Sequence, residues 1–233
     1  MTHSTHSDER IPGSRSATDP ERLLPRGRHD LTREFVSRTQ RDRLIDAMAT
    51  TVATRGYASA SLGEVCTTAG VSTRAFYEHF ADKEACFLAT FERGVSLMQK
   101  SVAGAYSRPA RWPQRMHRGL DTLLRILAAE PAFAALAVVE VLAAGPRARA
   151  CRRQLLDAYA VFFTAAPRRA GSPPVPDGVV DAVIAGVYGV IYDFVSTGRA
   201  AELPQRLGDL TYLVLVPYLG PAAAARVAAG EPG

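Results

Sequence analysis

Between Ser72 and Glu78 the chain sets Ser72, Thr73, Arg74, Tyr77 and Glu78 within two helical turns, while Val71 and Phe76 supply the apolar contacts of the same stretch. A helix carrying these residues has a hydrocarbon side for packing and a second side of hydroxyls, a guanidinium, a phenol and a carboxylate. That second side suits the donor and acceptor edges of base pairs in a major groove. The surrounding string, SLGEVCTTAGVSTRAFYEHF over residues 61–80, has the grammar of two short helices joined by a tight turn. Val65 and Cys66 are apolar or small where such helices meet, Ala69 leaves room at the corner, and Gly70 can take the positive φ that a β-carbon resists.

Catalytic chemistry is not legible elsewhere. The chain holds no HExxH, no GxSxG, no phosphate-binding glycine loop, no GxGxxG opening a βαβ unit and no CxxC. Glu130 and Glu140 come nearest to a carboxylate pair, but Glu130 precedes Pro131 at a helix boundary. Cys66, Cys86 and Cys151 are an odd count without zinc-ribbon spacing, which argues against a disulfide framework; Cys66 and Cys86 read as small buried apolar residues. The expectation is a protein that is not an enzyme, with no catalytic residue, metal or cofactor. A different class of reading makes it a helical lipid or small-molecule carrier, or an enzyme, with the first helices merely structural.

The elements that must position these residues are all helical. From about Arg33 the apolar residues Leu44, Ile45, Met48 and Val52 share one face, and Gly56 ends that helix. Ser61 with Glu64 three positions on is a capping box, Ala69-Gly70-Val71 breaks the helix it starts, and Ser72 caps the next. Asp82 caps a long fourth helix striped by Phe87, Phe91, Val95, Met98 and Val102, and Pro109 with Trp112-Pro113 marks a connection. Helical patterns follow at about 113–129, 131–144, 147–166, 178–198 and 204–219, and no alternating strand pattern competes. These predict an all-α protein of about nine helices. Its parts are a flexible basic arm over 1–32, a helix-turn-helix domain over 33–92, a helical ligand-binding and dimerisation bundle over 93–222, and a disordered tail over 223–233. Arg26, Arg28, Arg33 and Arg38 form a basic approach to the first helix.

Composition sets wide bounds. With 233 residues, 47% apolar and 22% charged, the chain can build a real core without disulfide staples. The net charge of +5 permits an anionic partner without locating it, since residues 1–100 hold 14 basic against 13 acidic side chains. No apolar run resembles a secretory leader, and the longest apolar stretches carry Glu140, Asp181 and Asp193, so a cytoplasmic protein without a membrane partner is expected.

Arg55-Gly56-Tyr57, the Ser61 cap, Ala69-Gly70-Val71-Ser72, Phe76-Tyr77-Glu78-His79-Phe80 and Asp82-Lys83-Glu84 resemble the amino-terminal DNA-binding domain of TetR-type transcriptional regulators, without gaps over about residues 38–92. Cys66 stands where that family commonly has alanine, and Phe76 where leucine is frequent. The resemblance implies a homodimer whose recognition helices enter successive major grooves of a palindromic operator in double-stranded DNA. Carried onto this chain, it puts Ser72, Thr73, Arg74 and Tyr77 at the DNA. Phosphate contacts fall to Tyr77, His79, Lys83 and the amino terminus that starts at Ser61, with Arg38 adding backbone or minor-groove contacts.

The second half reads as a bundle with a partner. The stretch from Val179 to Val195 is apolar on more than one face and so must be covered on both sides. A dimer interface is expected from Val180, Ile184, Val187, Ile191, Leu207, Leu210 and Val214. If a cavity opens inside, Met98, Trp112, Met116, Phe133, Tyr159, Phe163 and Tyr188 supply its walls. Its occupant is expected to be a mainly apolar small-molecule effector that releases a repressor from DNA, with Glu140, Asp157, His117 or a tyrosine hydroxyl as polar handle. A constitutive regulator without effector, or an activator, fits the same residues.

Overall fold

A computed structural model describes residues 10–15, 32–167, 174–176 and 178–231. Among these, ten α-helices form and no strand does. The first three are α1 (Arg33–Arg55), α2 (Leu62–Ala69) and α3 (Thr73–His79), followed by the long α4 (Lys83–Tyr106). Each begins where a side chain can take up a free amide: Thr32 accepts from Phe35, Ser72 from Ala75 and Asp82 from Ala85. At α2 the capping box is complete, with Ser61 Oγ accepting from the Glu64 amide and the Glu64 carboxylate accepting from the Ser61 amide. Gly56 closes α1 at φ 76° and Gly70 closes α2 in the left-handed conformation. The three short helices and the first turns of α4 close over Leu44, Met48, Val52, Val65, Phe76 and Phe87, all fully buried.

The carboxy-terminal part holds α5 (Trp112–Ala129), α6 (Pro131–Ala134), α7 (Pro146–Ala158), α8 (Gly178–Ser196), α9 (Leu207–Leu219) and α10 (Pro221–Ala228). α4 passes into it, packing along α5 where Gly119 lies against Val102 and Tyr106. Further up α4, Gly94 meets the fully buried Phe133 ring so closely that a β-carbon there would overlap it.

Three sequence expectations change in this half. The segment 131–144 is not one helix: α6 runs into a π-helical turn, Ala135–Val139, and a 3-10 turn, Glu140–Leu142. The segment 147–166 likewise ends α7 at Ala158 and continues as a 3-10 turn, Tyr159–Phe163. The tail expected to be disordered from 223 is instead the body of α10, because Gly220 at φ 77° turns the chain back and lets Ala224 and Val227 bury against the cluster around Trp112 and Tyr218. The arm also departs from expectation where it is described. Pro12 is buried, and the Gly13 amide donates to Asp46 Oδ1 of α1 at 2.8 Å, in the angle between Ala49 of α1 and Ala132 of α6. Arg26 and Arg28 lie outside the described residues.

Candidate nucleic-acid interface and the cavity behind it

α3 presents one continuous polar side. Ser72, Thr73, Arg74, Tyr77 and Glu78 are exposed, Tyr77 to 58%, while Val71 and Phe76 on the opposite side are buried. The exposed phenol is held by an edge contact to the Phe76 ring at 5.6 Å, so an anchored ring carries a free hydroxyl outward. Arg38 is exposed on the first turns of α1. His79 is half-buried, its Nε2 3.3 Å from Gln40 Oε1 of α1. Burial holds the His79 imidazole below its ordinary pKa, with Glu78 opposing and Arg41 assisting, so the ring is neutral near pH 7.

Two expected phosphate groups are otherwise engaged. The Ser61 hydroxyl both accepts from and donates to Glu64, at 3.1 and 3.0 Å, and its amide bonds the same carboxylate. Any phosphate at this end meets the amides of Leu62 and Gly63, which a helix start leaves without an intrahelical acceptor. Lys83 Nζ donates to the Tyr57 and Ala60 carbonyls, each at 2.9 Å, and sits 4.3 Å over the Tyr57 ring. Its ammonium therefore ties the 57–60 turn to the start of α4, which a spacing argument on Lys83 alone could not reveal. Arg43 is buried beneath the turn and donates to the Gly70 carbonyl at 3.4 Å. Cys86 is buried with its thiol pushed up to about 12 by desolvation, and burial also raises Cys66, so both stay protonated.

Within the bundle a cavity of about 120 Å³ opens between α4, α5, the π-helical turn, α7 and α8. Met98, Met116, Tyr159, Phe163 and Tyr188 line it as expected, together with Tyr106, Arg152 and Phe162. Trp112 and Phe133 do not. The Trp112 indole donates to the Phe162 carbonyl at 2.9 Å and packs edge-on to Tyr218, while Phe133 is committed to the contact with Gly94. The suggested polar handles are also elsewhere: His117 Nδ1 pairs with Thr211 Oγ1 at 3.1 Å, Asp157 is exposed, and Glu140 accepts from the Tyr57 amide at 2.6 Å. That last bond crosses from the bundle to the corner between α1 and α2. Beside it, the Tyr188 hydroxyl donates to the Val138 carbonyl of the π-helical turn at 2.6 Å, so cavity wall and corner are two residues apart in the chain.

The expected dimer residues prove to belong mostly to the interior. Ile184, Val187, Ile191 and Val214 line the cavity, Leu210 is buried, and Val180 and Leu207 are half-buried. A helix apolar all round cannot reveal by composition which face turns inward. The outer face of α8 and α9 carries exposed Ala182, Ala185, Gly189, Tyr192, Tyr212 and Leu213 instead. α8 is long and apolar enough, by length and composition, to cross a bilayer, yet it buries Val183, Ile191, Phe194 and Val195 in the bundle.

The architecture is that of an all-helical helix-turn-helix protein with a helical carboxy-terminal domain. Residues 44–90 match the family model described as bacterial regulatory proteins, tetR family. Solved structures share the fold over most of the chain. FadR of Bacillus halodurans, a fatty acid degradation regulator, superposes with a TM-score of 0.63 at 16% identity, over 76% of this chain and 94% of that one. FadR of Bacillus subtilis, solved in complex with stearoyl-CoA, gives 0.63 at 15% identity over 76% and 97%. A gamma-butyrolactone receptor described as ArpA-like gives 0.61 at 20% identity over 84% and 97%. No curated protein matches the chain by sequence.

Proposed function

We propose that this protein is a sequence-specific DNA-binding transcriptional regulator, a repressor that sits as a homodimer on a palindromic operator and leaves it when a mainly apolar small molecule enters the bundle. The observation that carries the reading is α3, where Thr73, Arg74 and Tyr77 stand exposed on a helix whose other side is anchored by buried Val71 and Phe76. Arg74 reads a base, and Tyr77, His79, Arg38 and the amide end of α2 hold phosphates. Lys83 serves mainly by holding the 57–60 turn. Such a protein works in the cytoplasm and needs no catalytic group.

The homodimer forms through the outer face of α8 and α9, where Tyr192, Tyr212 and Leu213 are exposed beside Ala182, Ala185 and Gly189 small enough to let helices approach. Release follows from two links between cavity and reading head. α4 runs from the Lys83 staple to cavity-lining Met98, Val102 and Tyr106, and the π-helical turn runs from cavity-lining Val138 to the Glu140 bond at Tyr57. A ligand that prefers a different shape of this wall shifts α3 relative to its copy, and the groove spacing is lost. Neighbours of the same fold with a bound stearoyl-CoA or a receptor's name support a ligand in this half.

The test is fluorescence anisotropy of the full chain against the DNA flanking its own gene, at two salt concentrations, with a scrambled duplex as control. Tight, salt-dependent binding far above the control is expected. Equal weak binding to both duplexes over all flanking segments removes sequence-specific regulation from this locus.

A further inference from the structure

We propose that the bundle cavity takes a small amphiphile with an anionic head, a carboxylate in the simplest case, held by the Arg152 guanidinium while a short hydrocarbon body fills the apolar remainder. The inference rests on the reading of this cavity as an effector site and adds the chemical class of the effector.

Three tyrosines line the cavity, and two have spent their hydroxyls: Tyr106 donates to the Phe162 carbonyl at 3.0 Å and Tyr188 to the Val138 carbonyl at 2.6 Å. The Tyr159 oxygen is buried without a partner. Buried hydroxyls are normally satisfied, and burial holds this one protonated well above its ordinary range, so it stands as a donor awaiting an acceptor. Arg152 is the one charged residue of the lining, and among the described residues it pairs with no carboxylate. Its guanidinium carbon lies 4.0 Å over the Tyr188 ring, a side-chain hydrogen bond joins it to Tyr188, and among the described residues its buried Nε has no acceptor. An aromatic face compensates a cation only weakly beside a carboxylate. The residues of these two unsatisfied groups, Arg152 Nε and the Tyr159 hydroxyl, stand seven residues apart, two turns along one face of α7 and its 3-10 continuation.

A neutral guest leaves the guanidinium as it is, and a cationic one is repelled by it. An anion completes it with the bidentate geometry that guanidinium provides, and Tyr159 donates to an oxygen of the same guest. The volume of about 120 Å³ is slightly below that of an engineered core cavity of about 150 Å³ that admits benzene, so the body is on the order of six carbons.

Trp112 is the single tryptophan, bonded to the Phe162 carbonyl beside the cavity, and its emission reports occupancy. The full chain is titrated with hexanoate and with 1-hexanol, the same body under a neutral head. Hexanoate is expected to bind at least about tenfold tighter than 1-hexanol, Arg152→Met to abolish that preference, and Arg152→Lys to restore part of it. Tyr159→Phe is expected to weaken hexanoate by about threefold. Equal affinity of the two probes, an undiminished preference in Arg152→Met, or no response of folded protein to either probe overturns the proposal. Folding of each variant is checked by its thermal melt. Operator binding measured without probe stands apart from these outcomes, so a chain that binds hexanoate but no operator defeats the regulator reading and leaves the anion site standing.

Discussion

The two halves of this molecule dispose of their polar groups in opposite ways. In the helix-turn-helix half, interior and turns are closed: Ser61 and Glu64 satisfy each other, Ser72 and Asp82 cap their helices, and Lys83 ties down two carbonyls. Arg74 and Tyr77 face solvent there. In the bundle the outside of α8 and α9 carries exposed apolar side chains, and two of the buried groups left without a hydrogen bond, Arg152 Nε and the Tyr159 hydroxyl, belong to residues that line an internal cavity. The two halves therefore call for different partners under the proposed function, a polyanion outside the first, and a guest inside and a second copy outside the other.

The largest expected effect strikes where the halves meet. Gly94→Val pushes a side chain into the Phe133 ring, and the cost is about 3 kcal/mol by overpacking, a fall of roughly 6–12 °C in Tm by calorimetry. A melt unchanged within a degree dissolves the idea that α4 is locked to α6. Next is the outer face. Leu213→Glu places two like charges across a twofold interface and is expected to weaken the dimer about a hundredfold, or about 2.7 kcal/mol, by sedimentation equilibrium. An intact dimer moves the interface elsewhere.

Lys83→Met sharpens the distinction between holding a turn and touching DNA. As a staple, Lys83 is worth about 2 kcal/mol of stability, and its loss leaves the salt slope of operator binding unchanged. A slope lower by about one, without loss of stability, returns it to the phosphate. Arg74→Ala costs roughly 1–3 kcal/mol of operator affinity and relaxes one base position while the melt stays put, as anisotropy with single-base variants would read.

The smallest effect is on pH. Burial lowers the pKa of His79 and of His117 below the ordinary 6.5. The unfolded chain therefore binds protons first as pH falls, so the stability these neutral rings contribute is present above about pH 6.5 and lost below it. Replacing His117 by Gln is expected to flatten the fall in Tm between pH 7 and 5; an unaltered profile assigns that fall to other groups.

Local chemistry was readable where it acts between near neighbours. The capping box at Ser61 and Glu64, the stop at Gly56, the left-handed turn at Gly70 and the polar side of α3 each depend on a few adjacent residues. The resemblance to TetR-type domains rested on those same residues. Facing was not readable. Ile191 and Val214 were assigned outward and lie inward, while the exposed Tyr212 and Leu213 were not singled out at all, because a helix apolar on all sides has no stripe to orient it. The broken helix at 135–142 was missed for a related reason, since it gains by accepting one bond from the Tyr188 hydroxyl and another from the Tyr57 amide, both remote in sequence.

The amino-acid sequence by itself determined the helices, their caps, the turn at Gly70 and the character of α3, since those follow from propensity and hydrogen bonds a few residues apart. Only the tertiary structure decided that Lys83 holds a turn, that Glu140 bridges the halves, that Gly94 must lack a side chain, and that Arg152 and Tyr159 line one cavity. Those facts depend on which surfaces meet, and packing chooses among faces that the local pattern leaves equivalent.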